Sequence, residues 1–386
     1  MTFLIQQTLI YTIPLMIVAL AGVFAERSGI INIALDGMMI FGSFMGAFAV
    51  KIMQTHDIFG SNTQLIYIAA MLVAALSGAL FSLLLSFSAI NLKADQTIGG
   101  TALNMLAPAV TLLIVKIVSM QDRLNMPESL GFIVFNENLP GVFKPFFDKM
   151  FISTYIVIGL FVVLSILLYK TKYGLRLRAC GEHPQAADSV GINVKGMRYL
   201  GTTISGALAG MGGYIYIATT ASGTAEGTVA GMGFLALAIM IFGNWKPLGI
   251  ALGSLLFGLL KCIGATYASL DINGDGICML KNLGLPLYFY NMIPFVVVLI
   301  VLAFTSKKSR APKAEGIPYD KGQRSDFSLG GKHFACRLFF VKKIHARIWI
   351  EFVNSSNNIF GNHQISEILM YGKVYIYESN RYCEKN

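Results

Sequence analysis

Residues 170–198 read KTKYGLRLRACGEHPQAADSVGINVKGMR and lie between two apolar runs, residues 151–169 and 199–218. The stretch has six Lys and Arg residues against one Glu and one Asp. Short loops rich in Lys and Arg between membrane-spanning helices stay on the cytoplasmic side of a bilayer. The arrangement therefore predicts a helical membrane protein with this basic loop on its cytoplasmic face.

The middle of the basic loop predicts a short helix. Pro184 suits the first turn of a helix, where its missing N–H is not needed. Residues 185–190 (QAADSV) favour a helix, and Gly191 can end it in a left-handed conformation. We expect a small amphipathic helix on the inner face of a membrane domain. A basic connector that only anchors the topology also explains the charges.

The composition indicates an all-α, polytopic membrane protein. Of 386 residues, 55% are hydrophobic and 13% are charged, and the mean hydropathy is +0.64. Soluble domains have about 25% charged residues, and a spanning helix needs about 20 apolar residues. The strands of a membrane barrel alternate in polarity, which these runs do not. We predict about 8–10 transmembrane helices, and the apolar runs are residues 3–25, 30–53, 63–90, 98–120, 151–169, 199–218, 223–242, 248–263 and 285–303.

The charges set the orientation and give no argument for nucleic acid as a partner, so we expect none. Residues 304–386 contain 14 Lys and Arg against 7 Asp and Glu, so this tail supplies most of the net charge of +10. With the basic loop and the tail inside, residues 121–149 and 266–283 face outward. We divide the chain into a permease domain at 1–304, a cytoplasmic end at 305–324 and an unassigned extension at 325–386.

Several catalytic signatures are absent from the sequence. There is no G-x-x-x-x-G-K-[ST] loop to hold ATP phosphates, and there is no HExxH or GxSxG motif. The five cysteines form no CxxC pair and have no His at zinc spacing, so we predict no metal site. The chain is therefore expected to be no enzyme and to need a separate subunit for any use of ATP.

Polar residues inside the apolar runs are candidates for a substrate pathway. Asn32 and Asp36 in ERSGIINIALDG, residues 26–37, are four apart, so a helix places them on one inward face. A carboxylate at the bilayer centre costs about 2.5–3.5 kcal/mol on insertion scales. Alternatively, Asp36 lies near the interface and is hydrated, with Glu26 and Arg27 serving as a cap and an anchor.

Further candidates occur in two later runs. Asn104 must bond either to a neighbouring helix or to a substrate if it is buried. Gly231 and Gly233 in AGMGF allow the backbone to approach a substrate path or simply to pack closely. Residues 223–242 are short and interrupted by Gly, which predicts a broken or re-entrant helix. Residues 32–48 and 228–242 look alike, which suggests two weak repeats.

Two motifs resemble a known family. YGLRLRACGEHPQAADSVGINV resembles the coupling loop of permease subunits in the branched-chain amino acid, ribose and nucleoside superfamily of ABC importers. ERSGIINIALDGMM resembles the signature after the first span of the nucleoside branch, usually ERSG-x-x-N-I-G-L-E-G. Here Ala34 replaces Gly and Asp36 replaces Glu, so the carboxylate is one methylene shorter. The resemblance implies ATPase contacts at Gly181, Glu182, His183, Pro184, Ala186, Ala187 and Gly191.

The resemblance implies a permease subunit of an ABC importer for nucleosides or related sugars in the bacterial cytoplasmic membrane. The implied partners are an ATPase subunit that uses ATP, a second permease subunit in a homo- or heterodimer, and an extracytoplasmic substrate-binding lipoprotein. An ion-coupled secondary transporter of a small polar solute is the alternative, but it needs intramembrane relays beyond Asp36. An intramembrane enzyme needs paired catalytic groups that the sequence lacks.

Overall fold

The computed structural model describes residues 2–59, 62–120, 123–126, 132–133, 150–221, 223–266, 287–305 and 311–321. Helices account for most of this part of the chain. In chain order they are α1 (Thr2–Arg27), α2 (Leu35–Thr55), α3 (Thr63–Ile90), α4 (Gln96–Ser119), α5 (Ile152–Lys170), α6 (Lys172–Glu182), α7 (Pro184–Ser189), α8 (Val194–Thr219), α9 (Met232–Phe242), α10 (Pro247–Thr266) and α11 (Leu287–Thr305).

Four two-residue strands form two small antiparallel ladders that the sequence did not predict. The strands are β1 (Leu124–Asn125), β2 (Phe132–Ile133), β3 (Met150–Phe151) and β4 (Thr224–Ala225). β1 pairs with β4, and β2 pairs with β3. Most of the two loops expected outside, residues 121–149 and 266–283, lie outside the described residues.

The prediction of an all-α, multi-pass membrane protein is confirmed. Within the described part, six helices are long and apolar enough to cross a membrane, namely α1, α2, α3, α4, α5 and α10. α8 has 26 residues, a length of about 39 Å at 1.5 Å per residue. α9 has only 11 residues, about 16 Å, which is too short for a hydrocarbon core of about 30 Å. The prediction of a short, broken helix there is confirmed.

Helices α1 and α8 lie at the centre of the bundle, and α4 and α5 are more peripheral. Within its most apolar window, α1 is 89% buried, whereas α4 is only 22% buried. On α3, Leu72, Leu76 and Leu80 are exposed at successive turns, with 58%, 66% and 67% of their surface accessible. A stripe of large apolar side chains on an outer helix is the surface that lipid covers in a membrane.

Glycines let α8 approach α2 and α3 closely. A Cβ atom placed on Gly42 of α2 would lie 2.2 Å from the Cα of Gly210 in α8. A Cβ atom on Gly78 of α3 would lie 2.3 Å from the carbonyl oxygen of Gly206. Because lipid gives helices no hydrophobic reason to associate, such backbone contact is a main source of packing energy in membranes.

We call the end of the bundle that contains residues 170–198 the basic end. Several segments cover it. Thr171, the N-cap of α6, accepts a hydrogen bond from Gly174 N at 3.3 Å, and Asn193 caps α8. Residues 311–321 return to this end and belong to the compact unit Met1–Lys321. The predicted extension at 325–386 lies outside the described residues.

Candidate functional site

Residues 28–34, here called the break, separate α1 from α2. The sequence predicted a continuous run from residue 30 to 53, with Asn32 and Asp36 on one helical face. This is wrong, because α2 begins at Leu35 and Asn32 lies before it. Buried backbone groups outside a helix need hydrogen-bond partners elsewhere in the protein. Here Gln96 Oε1 accepts from Ile31 N at 2.8 Å, and Asn104 Nδ2 donates to Ile33 O at 2.9 Å.

Asn32 connects the break to α8. It is fully buried, and its Nδ2 donates to Ser205 Oγ at 2.8 Å. Its Oδ1 is buried and has no hydrogen-bond partner among the described residues. A buried amide oxygen without a partner is costly, so this atom is an available acceptor inside the bundle.

Asp36 lies where the N-termini of α2 and α9 meet. Its Oδ1 accepts a hydrogen bond from Gly233 N at 2.9 Å, in the first turn of α9. A Cβ atom on Gly233 would lie 2.4 Å from the Cα of Asp36, so only Gly permits this approach. The N-terminus of a helix has partial positive charge and unpaired N–H groups, and a carboxylate there is stabilised. The half-buried Asp36 therefore caps α9 from a neighbouring helix.

The chain turns sharply just before α9. Ala230 and Gly231 both have positive φ, at 52° and 68°. Such a left-handed pair reverses the backbone so that α9 starts in the interior of the bundle. A Cβ atom on Gly231 would be in ordinary van der Waals contact with the Phe295 ring, at 3.8 Å, so the positive φ rather than a lack of space favours Gly here.

Asn104 of α4 holds the first turn of α2. Its Oδ1 accepts from Gly37 N at 2.7 Å, while its Nδ2 donates to Ile33 O. Of the two roles left open by the sequence, the geometry shows the helix-bridging one. The structure thus brings Asp36, Asn104 and Gly233 together around the first turn of α2. Asn32 and Gly231 lie beside this group with other neighbours.

The basic end contains a buried polar contact that sequence reasoning missed. Glu26 is 5% exposed and accepts a hydrogen bond from Trp245 Nε1. The Tyr169 hydroxyl donates to the carbonyl oxygen of Trp245. The ends of α1 and α5 and the turn between α9 and α10 are thereby connected. No pattern in the sequence marked Glu26 as buried or paired it with Trp245.

The predicted short helix in the basic loop is confirmed. α7 begins at Pro184 in its first position, and Gly191 follows with φ of 83°. The sequence did not predict α6, which packs against α5. A Cβ atom on Gly174 of α6 would lie 2.1 Å from the carbonyl oxygen of Leu168.

The seven residues expected to contact an ATPase divide by exposure. His183, Ala186 and Gly191 are exposed, and Glu182 and Pro184 are half-buried. Gly181 and Ala187 are buried within the chain, so they support the loop rather than form its outer surface. Glu182 Oε1 lies 3.6 Å from Arg27 Nη1 at the end of α1.

A cleft lies beside α7 at the start of α8. Its volume is about 340 Å³, and its lining includes Arg176, Val190, Asn193, Met197 and Leu200. Val190 and Leu200 are 75% and 50% exposed. The surface therefore combines exposed apolar side chains with a guanidinium, as protein interfaces commonly do. Within the described residues, no cluster of three or more His, Cys, Asp and Glu could hold a metal ion.

Comparison with known proteins identifies the family. Residues 4–302 match the family described as "Branched-chain amino acid transport system / permease component". The chain belongs to this permease family. It is therefore a component of a membrane transport system, and the resemblance noted in the sequence is confirmed. The family's members are transport components rather than enzymes, which agrees with the prediction of a chain without catalysis.

Three relatives show how far the similarity extends. The chain is 39% identical over 322 residues to the nucleoside ABC transporter permease protein NupC of Lactococcus lactis subsp. cremoris, covering 83% of this chain and 97% of the relative. It is 38% identical over 327 residues to the guanosine ABC transporter permease protein NupQ of Bacillus subtilis, covering 84% and 98%. NupB of the same Lactococcus is 30% identical over 169 residues, covering 43% and 45%. No solved structure matches the chain.

Proposed function

We propose that this chain is the nucleoside-translocating permease subunit of an ATP-driven importer in a bacterial cytoplasmic membrane. The observation that supports this most strongly is the identity of 38–39% to two permeases named for nucleoside and guanosine transport, over nearly their whole length. The chain has no loop for ATP phosphates, so a separate ATPase subunit hydrolyses ATP.

The ATPase docks on α7 and the adjoining cleft. His183, Ala186 and Gly191 form the exposed part of this docking surface. Val190 and Leu200 add apolar area, and Arg176 adds a positive charge. A rigid helix with exposed apolar neighbours suits a groove on a partner, because little conformational entropy is lost on docking.

The substrate pathway passes the meeting point of α2 and α9. Nucleosides are neutral and rich in hydroxyl and ring-nitrogen groups, so they need hydrogen-bonding partners rather than a counter-ion. Asp36 and the free Oδ1 of Asn32 offer acceptors, and the N-terminus of α9 offers N–H donors. Asn104 and Gly37 hold these groups in place. Interrupted helices whose N-termini point at a site inside the membrane are a common way to build transporter sites, and α9 is such a short helix.

The importer contains further subunits. The chain pairs with a second permease subunit, either a copy of itself or a related chain, and an extracytoplasmic lipoprotein delivers the nucleoside. The match to both NupB and NupC of one organism favours a related chain as the partner. Alternating access then follows from ATP-dependent movement of the docked loops, since the ATPase binds one conformation more tightly than the other.

Purification from native membranes tests this proposal. The chain, solubilised gently, is isolated with its partners and assayed for ATP hydrolysis with guanosine, ribose and branched-chain amino acids. We expect a stoichiometric ATPase subunit whose hydrolysis is stimulated by nucleosides alone. A chain that purifies alone and moves nucleosides into proteoliposomes down an ion gradient would contradict the proposal.

A further inference from the structure

Residues 311–321, here called the strap, join two parts of the basic end that are far apart in the sequence. The N–H of Ala314 donates to the carbonyl oxygen of Gly181, in the last turn of α6, at 2.9 Å. Two residues later, the N–H of Gly316 donates to the carbonyl oxygen of Gly29, in the break, at 3.1 Å. One short segment is thus hydrogen-bonded both to the basic loop and to the break.

Buried side chains fasten the strap in the residues that follow these bonds. Arg198 of α8 is 1% exposed, and its Nη1 donates to the carbonyl oxygen of Ile317 at 3.0 Å. Its Nε and Nη2 have no hydrogen-bond partner among the described residues, so the bond to the strap is the main one for this buried cation. Tyr319 is 8% exposed, and its hydroxyl lies close to the Asp188 carboxylate of α7.

The strap has a defined local shape. Glu315 N donates to Pro312 O at 3.2 Å, and Ile317 N donates to Ala314 O at 3.3 Å, so two turns follow each other. Gly316 has φ of 70° at the third position of the second turn, which is the position where a type II turn needs Gly. Consecutive turns of this kind make the strap a rigid link rather than a loose tail.

The strap, the break and the basic loop are closely packed where they meet at Gly29 and Gly181. A Cβ atom on Gly29 would lie 2.9 Å from Arg198 Nη2 and 3.4 Å from Ala314 O. A Cβ atom on Gly181 would lie 2.4 Å from Arg27 O and 3.4 Å from Gly29 N. Because close-packed contacts transmit displacement, a shift of α6 moves the strap and the break together.

We propose that the strap is the positioning element that couples the basic loop to the break, and hence to Asn32 and Asp36. This inference rests on the proposed function, in which an ATPase moves α6 and α7. The direct ion pair between Arg27 and Glu182 is a weaker link, since its atoms are 3.6 Å apart and the carboxylate is 41% exposed. The two buried backbone hydrogen bonds of the strap, from Ala314 and Gly316, fix the distance between the segments more tightly than this ion pair does.

Variants of the full chain test the strap. Ala314→Pro removes the N–H that bonds Gly181 and places Pro at the third position of a turn, where it is disfavoured. Tyr319→Phe removes only the hydroxyl that meets Asp188 and keeps the packing. Lys313→Pro is the matched control, because it puts Pro at the second position of the first turn, where Pro is favoured.

The measurement is nucleoside taken up per ATP hydrolysed, in proteoliposomes with the ATPase subunit. We expect Ala314→Pro to bind the ATPase and to hydrolyse ATP, while uptake per ATP falls about tenfold, within the usual range of coupling between sites. Tyr319→Phe should lower the ratio a few-fold, and Lys313→Pro should leave it unchanged. A merely structural strap would lower assembly and hydrolysis together and leave the ratio intact, which would overturn the proposal.

A second readout separates this proposal from the proposed function. The alkylation of Cys180, which is fully buried beside Gly181, is followed by mass spectrometry on the permease without ATPase. We expect faster labelling in Ala314→Pro than in Lys313→Pro. Equal labelling overturns the strap's attachment to α6. A third outcome is faster labelling of Ala314→Pro together with a wild-type protein that recruits no ATPase. That result would contradict the proposed function and the coupling role, but it would still support the attachment of the strap to α6.

Discussion

The Asp36 carboxylate accepts a hydrogen bond at 2.9 Å from the N–H of Gly233, which is 197 positions away in the sequence. The two residues lie in the first turns of α2 and α9, so two helix N-termini meet at one carboxylate. This contact depends on a bare backbone at Gly233, where a Cβ atom would lie 2.4 Å from the Cα of Asp36. The glycine and the acid are therefore one structural unit.

Replacing Asp36 by Asn separates the two roles of this carboxylate. Asn keeps an oxygen that accepts from Gly233, so we expect the free energy of unfolding to change by less than about 0.5 kcal/mol. A neutral acceptor binds substrate hydroxyls less strongly than a charged one, so nucleoside uptake should fall about tenfold. Asp36→Ala, which removes the cap, should lower stability by about 0.5–2 kcal/mol. If Asp36→Asn takes up nucleoside as the wild type does, Asp36 only caps α9 and does not bind the substrate.

Replacing Asn104 by Leu should destabilise the protein. The change leaves Gly37 N and Ile33 O without their partners in the bundle. Each unsatisfied buried group costs about 1–3 kcal/mol, so the melting temperature in detergent should drop clearly. Met105→Leu at the neighbouring position, where the side chain is 77% exposed, is the control and should melt like the wild type. A stable Asn104→Leu variant would contradict the bridging role.

The spans were predictable from the sequence because long apolar runs have few alternatives in a membrane. The run at residues 63–90 coincides with α3. The sequence separated the first two runs at residues 26–29, but it did not predict that the break extends to residue 34, since IINIA is as apolar as a helix. What decides its conformation is distant in sequence: side chains of Gln96 and Asn104 replace the missing helical hydrogen bonds.

The sequence singled out Asp36, Asn104 and Gly233 one by one, but it did not predict the contacts between them. The local sequence around Asp36 does not show that its hydrogen-bond partner is the N–H of Gly233. The strap had even less signal, because its contacts with Gly29 and Gly181 use backbone atoms that every residue has. Only Gly316, at positive φ, marks the strap as a turn rather than a tail.

Replacing Gly42 by Ala should weaken the packing of α2 against α8. The added Cβ would lie 2.2 Å from the Cα of Gly210, so the helices must separate. Overpacking of this kind costs about 1–3 kcal/mol, which should lower the yield of folded protein on size-exclusion chromatography. Gly159→Ala is the matched control, because no heavy atom lies within 4 Å of its added Cβ. It should be neutral or stabilise α5 by up to about 1 kcal/mol. Equal yields for both variants would refute the close-packing argument.

The thiol of Cys180 should react slowly at neutral pH. Burial raises its pKa to about 11, although the nearby Arg198 acts in the opposite direction. Because the folded pKa lies above that of the unfolded chain, the native state retains the proton. The contribution of this thiol to the free energy of unfolding is therefore fully present below about pH 8.5, and it is lost as the pH rises toward 11. The alkylation rate of native Cys180 should keep rising between pH 9 and 11, whereas in denaturant it should level off. A native rate that levels off near pH 9 would contradict this.

Adding a charge at Ala186 or at Ala187 should give opposite defects, although the two are neighbours on α7. Ala186 is exposed, so Ala186→Glu should leave the fold intact and weaken binding of the ATPase, because a carboxylate must be desolvated in the interface. Ala187 is 4% exposed, so Ala187→Glu buries that charge within the chain and should reduce folded protein before any ATPase is added. Thermal stability of the isolated permease and co-purification of the ATPase separate the two effects. If Ala186→Glu still recruits the ATPase as the wild type does, the docking surface does not include α7, and the ATPase must bind another part of the basic end.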